Sequence, residues 1–200
     1  MQEKVVNYLI NKIKYNNDLD DIKLEEIKYG LLGIYTMLTK TLVITILALF
    51  LGIFREFIIF LIFYSILRAV GYGAHASSNL SCWIFSILLL IGLPYLVSII
   101  KLNKISKIII WIISFIAFML FCPADTEKRP MINKLRKLKF KIIILIIDLI
   151  YLVLIFKYES ISNYIIAALL LQTFLSSPIG YLSMGQKVRF SFNDIRLTKQ

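Results

Sequence analysis

Six apolar blocks alternate with short polar segments along the chain. They cover about residues 31–53, 57–67, 83–100, 108–122, 140–156 and 161–182. A transmembrane helix needs roughly 20 apolar residues and about 17 at the least, a length that the first block and the third, fifth and sixth meet or nearly meet. The block at 108–122 is marginal, and the block at 57–67 spans only if its helix continues through Arg68 towards Gly71. The pattern predicts an all-α polytopic membrane protein of about six apolar helices, some of them short or re-entrant.

The first 30 residues follow a different pattern, in which apolar and charged positions alternate at helical spacing. The apolar positions, with lysines between them, are Val5, Val6, Leu9, Ile10 and Ile13. This spacing predicts an amphipathic helix on the membrane surface, and a second one is expected to begin after Asp20 and Asp21, since carboxylates suit a helix N-terminus. We therefore expect one membrane-embedded domain over residues 1–200, with an amphipathic region at 1–30, a transmembrane core at 31–182 and a cytoplasmic tail at 183–200.

Composition and charge support a membrane location and suggest an orientation. The chain is 59% hydrophobic, and its net charge is +11 from 23 basic and 12 acidic residues. With both termini inside, the inner segments of a six-span arrangement hold 17 of the Lys and Arg residues, and the outer loops hold 5. Cytoplasmic loops of membrane proteins carry such an excess, and it contacts anionic lipid. We therefore expect a multi-pass cell-membrane protein with both termini in the cytoplasm, and no nucleic-acid partner. A four-span arrangement with re-entrant segments also keeps both ends inside.

The segment between the second and third apolar blocks holds the strongest candidate chemistry. It contains the only histidine of the chain, His75, and one of its two cysteines, Cys82. A thiol seven residues from an imidazole at a membrane boundary suggests a cysteine nucleophile beside its base. Gly71 and Gly73 flank the approach to His75, and Arg68 ends the preceding block, where it is able to hold a carboxylate or a substrate carbonyl.

The start of the third block is predicted to support a thiolate. Asn79 or Ser81 is expected to cap a helix that starts at Trp83, which places Cys82 in the first turn. The amide N–H groups and the dipole at that end of a helix stabilise a negative charge. If one unbroken helix ran from His75 to Cys82, their side chains would lie roughly 10 Å apart along its axis. We therefore expect a turn between them, at residues 77–79.

The loop at 123–130 is the second candidate element. Its bases, and those that follow up to Lys141, are expected mainly to fix topology and contact lipid, and a docking surface for an acidic substrate segment is the functional alternative. Asp125 is a candidate third member of a triad with His75. Cys122 is interpreted as a small buried hydrophobe, and a disulfide to Cys82 is not expected in the reducing cytoplasm.

Two other chemical interpretations remain open. His75, Cys82, Cys122 and Asp125 are potential metal ligands, but no pair has the close spacing of a structural zinc site, so no metal and no cofactor are expected. Lys40 and Asp148 lie inside apolar blocks, where ionisable side chains often mark an ion or proton path or pair with each other. A peptide transporter or exporter, in which His75 and Cys82 are merely structural, is therefore the alternative to an enzyme.

Two motifs in this order resemble those of a known family. They are Arg68 followed by Gly-Tyr-Gly-Ala-His-Ala-Ser-Ser at 71–78 and Cys82, and then Pro-Ala-Asp-Thr-Glu-Lys-Arg-Pro at 123–130. Together with chain length and the order of apolar blocks, they resemble the accessory gene regulator B (AgrB) family over nearly the whole chain. Glu127 departs from the all-basic run of some members.

The resemblance implies a membrane-embedded cysteine endopeptidase of Gram-positive quorum sensing. Such enzymes cleave an AgrD-type propeptide, which has an amphipathic leader, a core and an acidic end, and they act as homodimers. The resemblance assigns Cys82 as the nucleophile and His75 as the base, with Arg68 and Gly73 near the site. Lys128 and Arg129 would then bind the acidic segment, and cyclisation of the core through a thioester would yield a thiolactone or lactone.

Overall fold

The computed structural model describes residues 2–16, 20–75, 78–100, 102–124 and 133–186, and these form helices without a strand. The expectation of an all-α protein is confirmed. The helices are α1 (Gln2–Asn16), α2 (Asp21–Phe50), α3 (Phe54–Gly71), α4 (Asn79–Ile99), α5 (Lys104–Phe121), α6 (Lys134–Lys157), α7 (Glu159–Ser176) and α8 (Pro178–Ser183). The first five predicted apolar blocks each correspond to one of the helices α2–α6. The sixth, predicted over 161–182, is divided into α7 and α8, because Pro178 disfavours a helical conformation at the residue before it.

The chain divides into two compact units, Met1–Phe50 and Leu51–Gln200. In the first unit, α1 packs along α2. The sequence predicts a surface helix after Asp21 and a separate span from residue 31, whereas the structure has one helix of 30 residues. No proline interrupts this stretch, and the hydroxyl groups of Thr36, Thr39 and Thr45 donate to carbonyls within the helix. Those bonds satisfy polar groups that an apolar surrounding would otherwise leave unpaired.

The second unit is built around α7. Helices α3, α4, α5 and α6 all pack against it, and its side chains make up the largest share of the buried core. The ammonium group of Lys107 on α5 donates to the hydroxyl of Ser162 on α7 at 2.6 Å. A mixture of small and branched apolar residues over 162–176 lets four neighbours approach the helix closely, so α7 is the scaffold on which the rest of this unit is placed.

Three helices of the described part of the chain are long and apolar enough to cross a membrane. They are Ile22–Phe50, Leu80–Ile99 and Lys104–Phe121. The other three predicted blocks also form helices, but each carries charged or polar residues. Helix α3 has Arg55, Glu56 and Arg68, α6 has several lysines and Asp148, and α7 has Glu159, Asn163 and Gln172. The number of helices that qualify by composition is therefore smaller than six. Helix α3 does continue through Arg68 to Gly71, which is the condition that the sequence sets for it.

Candidate active site

The last turn of α3 and the loop after it form the core of the candidate site. Helix α3 ends at Gly71, and Tyr72 then adopts a positive φ of 54°, which is rare for a residue with a side chain. Gly73 has φ of 125°. A Cβ atom there would overlap Nη1 of Arg68 and lie 2.8 Å from the carbonyl oxygen of Leu175. Glycine is therefore required at residue 73 both by the backbone conformation and by the space available.

The guanidinium group of Arg68 organises this loop. Nη1 donates to the carbonyl oxygen of Tyr72 at 2.6 Å, and Nη2 donates to those of Gly73 at 3.2 Å and Ala74 at 2.9 Å. The planar group, with five N–H donors, suits such convergent acceptors. In this structure Arg68 therefore binds the backbone of its own chain, where the sequence predicts a contact with substrate.

Arg68 also reaches the imidazole. Its Nη2 lies 3.2 Å from Nε2 of His75. Because arginine only donates hydrogen bonds, Nε2 must accept in this contact, and the neutral ring then carries its proton on Nδ1. The His75 side chain is exposed, and its backbone N–H donates to Oε1 of Gln186 at 3.3 Å. The imidazole is thus held by its neighbours and still open to a substrate.

The loop is fastened to the C-terminal end of α7. The backbone N–H of Ala74 donates to the carbonyl oxygen of Leu175 at 2.7 Å, and Nε2 of Gln172 donates to that of Tyr72 at 2.8 Å. On the other side, the N–H of Ala124 donates to the carbonyl oxygen of Gly71 at 2.9 Å. The two motifs of the sequence, at 71–78 and 123–130, therefore meet at their first residues.

Cys82 lies in the first turn of α4, as expected, but the helix begins earlier than the sequence suggests. It starts at Asn79, and its cap is Ser78, whose hydroxyl accepts from the N–H of Ser81 at 3.1 Å. The predicted start at Trp83, with Asn79 or Ser81 as the cap, is wrong, because the Ser78 hydroxyl is already placed to accept that N–H. Since α4 begins four residues after His75, no single helix contains both groups.

The helix that carries Cys82 packs against the helix that carries Arg68. Helices α3 and α4 are in contact, and Cys82, in the first turn of α4, is partly exposed. The thiol therefore lies on the neighbour of the helix whose last turn holds Arg68.

The second cysteine has a different environment. Cys122 follows the last residue of α5, one position beyond the candidate span, and its side chain is only 2% exposed. Its Sγ lies 3.3 Å from Oγ of Ser176. Burial raises the pKa of this thiol to about 12, although the hydrogen bonds act in the opposite direction. The two cysteines are not joined by a disulfide, and Cys122 is a buried group of the core, as its sequence position suggests.

Several predicted residues cannot be placed in this geometry. Asp125, Lys128 and Arg129 lie outside the described residues, and of Asn79 only the backbone is described. Asp148 is fully buried on α6, and its carboxylate oxygens have no hydrogen-bond partner within the described ranges. Over the same ranges, no three His, Cys, Asp or Glu side chains group together as metal ligands do.

Two glutamines and a serine at the site were not predicted from the sequence. Gln172 and Ser176 lie one turn apart in the mostly apolar C-terminal half of α7, and both are buried. Polar side chains at such positions often bond across helices, so their presence in the last apolar block is a usable signal. Gln186 follows α8 and gives no such signal, because it lies in a polar segment where a glutamine is ordinary.

Comparison with known proteins relates the whole arrangement to one family. The family profile described as Accessory gene regulator B matches residues 2–176. The proteins named Accessory gene regulator protein B from Staphylococcus aureus strains MRSA252 and MW2 are each 30% identical over 183 residues, which cover 88% of this chain and 98% of the relative. A putative AgrB-like protein of Clostridium acetobutylicum is 25% identical over 202 residues, covering 100% of this chain and 97% of the relative. No solved structure matches the chain.

Proposed function

Because the chain belongs to the accessory gene regulator B family, we propose that it is a membrane-embedded cysteine endopeptidase of quorum sensing. The observation that carries this proposal is the contact of Arg68 with the His75 ring, on a loop that borders the helix terminus of Cys82. The proposed substrate is an AgrD-type propeptide that lies on the inner membrane surface. The enzyme acts there as a homodimer, with both termini in the cytoplasm.

The first chemical step is attack by Cys82 on the carbonyl carbon at the end of the propeptide core. A C–S bond forms, the peptide C–N bond breaks, and the proton taken from the thiol by His75 is passed to the departing amine. The product is a thioester, which keeps the acyl group activated.

The Arg68 contact imposes an order on proton transfer. The lone pair of Nε2 accepts from Arg68 in this structure, so that nitrogen takes the thiol proton only after the contact opens. Once protonated, the imidazolium repels the guanidinium, which keeps the contact open. Opening the contact removes the ring nitrogen as one of the three acceptors that share Nη2, and a substrate carbonyl or carboxylate takes its place, which is the role that the sequence suggests.

The second step releases the product as a ring. A thiol or hydroxyl of the substrate core attacks the thioester, its proton returns through His75, and Cys82 is regenerated. Exchange of one thioester for another is nearly balanced in free energy, so cyclisation competes with hydrolysis by proximity and by exclusion of water. The product is a thiolactone or a lactone.

Three residues of the second motif complete the proposal. Lys128 and Arg129 bind the acidic end of the propeptide by charge complementarity, and Asp125 orients His75. Charge reversal of Lys128 and Arg129 together is expected to raise the KM for the propeptide and to leave that for a substrate without its acidic end unchanged. Unchanged processing of the complete propeptide would remove this docking role.

The direct test is propeptide cleavage in membrane vesicles. Cys82→Ala and His75→Ala are each expected to abolish cleavage, whereas Cys122→Ala, the matched control at the buried thiol, retains it. Mass spectrometry of a Cys82 acyl-enzyme, trapped with a core that lacks its internal nucleophile, identifies the thioester. Cleavage that persists in Cys82→Ala would contradict the proposal and favour the transporter alternative.

A further inference from the structure

We propose that Gln172 is a positioning residue of the site, which fixes Arg68 and His75 through a carbonyl oxygen that it shares with Arg68. This inference rests on the proposed function for its kinetic consequence. Its structural part, that Gln172 fixes the loop through the Tyr72 carbonyl oxygen, does not depend on the proposed function. Nothing in the sequence motifs includes Gln172, which lies 100 residues from Tyr72, its partner in the loop.

The shared acceptor is the carbonyl oxygen of Tyr72. Nε2 of Gln172 donates to it at 2.8 Å, and Nη1 of Arg68 donates to it at 2.6 Å. Two donors from different helices define the orientation of that peptide group more closely than one donor does. Because the guanidinium is rigid and planar, fixing Nη1 restricts where Nη2 can lie, and Nη2 is the atom that contacts the His75 ring.

The amide of Gln172 is itself held in one orientation. Its second N–H donates to Oγ of Ser176 at 3.0 Å, and the Ser176 hydroxyl donates to the carbonyl oxygen of Gln172 at 2.8 Å. A flipped amide would point its oxygen at the Tyr72 carbonyl oxygen and lose that bond, although in the observed orientation Oε1 has no hydrogen-bond partner among the described residues. The side chain is fully buried, so water does not compete for these contacts.

The local backbone needs such support. Tyr72 has a φ of 54°, and a non-glycine residue persists in that conformation when its surroundings determine it. The Gln172 amide also packs directly against the backbone of Gly71, the last residue of α3. A Cβ atom at Gly71 would lie 2.5 Å from Nε2 of Gln172 and 2.7 Å from Cδ1 of Ile144. The end of α3 is therefore fitted to this amide.

The experiment compares three variants of the full-length protein in membrane vesicles. Gln172→Met keeps the length of the side chain and removes both N–H donors. Thr173→Val is the matched control on the same turn of α7, because the Thr173 hydroxyl is buried and has no hydrogen-bond partner among the residues described. Gln172→Glu provides a donor to Tyr72 only when its carboxyl group is protonated.

Two readouts separate positioning from general stability. Amide hydrogen exchange of peptides covering residues 71–75 is expected to speed up in Gln172→Met and not in Thr173→Val, independently of any cleavage. For propeptide cleavage, Gln172→Met is expected to lower kcat by about 10- to 100-fold with little change in KM. The kcat of Gln172→Glu relative to the wild type is expected to rise as the pH falls, since its protonated carboxyl group restores the bond.

Failure of the positioning role and failure of the proposed function give different results. Wild-type kcat in Gln172→Met, or faster exchange without a change in kcat, would overturn the positioning role. A kcat of Gln172→Glu that stays well below the wild-type value even at the lowest pH tested would overturn it as well, and this test holds even if Gln172→Met yields too little folded protein. Failure of the proposed function has a different signature: cleavage survives in Cys82→Ala, while the exchange result still reports whether Gln172 holds the loop.

Discussion

Nη2 of Arg68 lies 3.2 Å from Nε2 of His75, and the same nitrogen donates to the carbonyl oxygen of Ala74 at 2.9 Å. One amino group thus joins the imidazole to the backbone that carries it. The contact holds only while the ring is neutral, because a protonated imidazole has no lone pair to offer. The arginine is therefore a structural element of the loop, and it also occupies the Nε2 lone pair that must take the proton of the Cys82 thiol in the proposed reaction.

Arg68→Lys is expected to lower propeptide cleavage by about tenfold or more, although the charge is kept. A lysine ammonium is a compact donor on a flexible stem and does not reproduce a planar fork that serves three carbonyls and a ring nitrogen. Cleavage rates in vesicles, at equal amounts of membrane-inserted protein, measure the effect. Arg55→Lys, at the exposed other end of α3, is the control and should behave as the wild type. Equal rates for the two variants would show that charge alone is needed at residue 68.

Gly73→Ala is expected to destabilise the loop by about 1–3 kcal/mol, because an alanine would occupy a strained backbone region. Its methyl group would also overlap Nη1 of Arg68 and press on the Leu175 carbonyl. Thermal unfolding in detergent and the cleavage rate should both decline. The matched control is Gly92→Ala in the middle of α4, where no atom lies within 4 Å of a new Cβ. That change should be neutral or stabilise the helix by up to about 1 kcal/mol.

Ser78→Ala should loosen the first turn of α4. Loss of an N-cap serine costs about 1 kcal/mol, and the turn that frays contains Cys82. The rate of Cys82 alkylation by iodoacetamide, measured by mass spectrometry, is expected to change in Ser78→Ala and to return to the wild-type value in Ser78→Asp, which restores a cap. Ser98→Ala, near the other end of α4, is the control. Identical rates in all four proteins would mean that the cap does not influence the thiol.

Cys122 is expected to make the protein less stable in alkaline solution. Its pKa is raised from 9.0 in the unfolded chain to about 12 by burial. Between these values the unfolded state loses the proton while the folded state keeps it, so the free energy of unfolding falls as the pH rises above about 9. Thermal unfolding between pH 8 and pH 10 should therefore show a smaller decline in Cys122→Ala than in the wild type.

The same burial predicts selective labelling. At pH 8 iodoacetamide should modify Cys82 in the folded protein and reach Cys122 only after denaturation. Labelling in Cys82→Ala, with and without denaturant, isolates the buried thiol. Comparable labelling of both cysteines in the folded protein would contradict the buried position of Cys122.

The pattern of apolar and polar positions was sufficient to predict six helices and to mark the loop between α3 and α4. Local features account for that success: apolar length defines a helix, and a sole histidine near a cysteine stands out in a membrane chain. The start of α4 was predicted less well, because Ser78, Asn79 and Ser81 are all acceptable caps by residue type. Only the backbone geometry selects Ser78.

The part of the site contributed by α7 could not be derived from the sequence. Gln172 reaches the Tyr72 carbonyl because α3 and α7 pack side by side. The spacing of apolar residues along a sequence does not show which residues of two packed helices lie next to each other. The continuous α2 is a similar case. A polar stretch followed by an apolar stretch suggested two elements, one on either side of residue 30. The structure has one helix there, because no proline interrupts the backbone between the two stretches.

The dependence of the loop on α7 has a consequence for biosynthesis. Tyr72 precedes Gln172 by 100 residues. The ribosome therefore synthesises the His75 loop and Cys82 well before it synthesises Gln172, which binds that loop. Segments made first begin to fold first, but this loop gains the Gln172 amide as a partner only when α7 has been synthesised. A chain cut short before α7 therefore lacks the contact that orders the His75 loop, and on the proposed function it would hold the thiol and the imidazole without their productive arrangement.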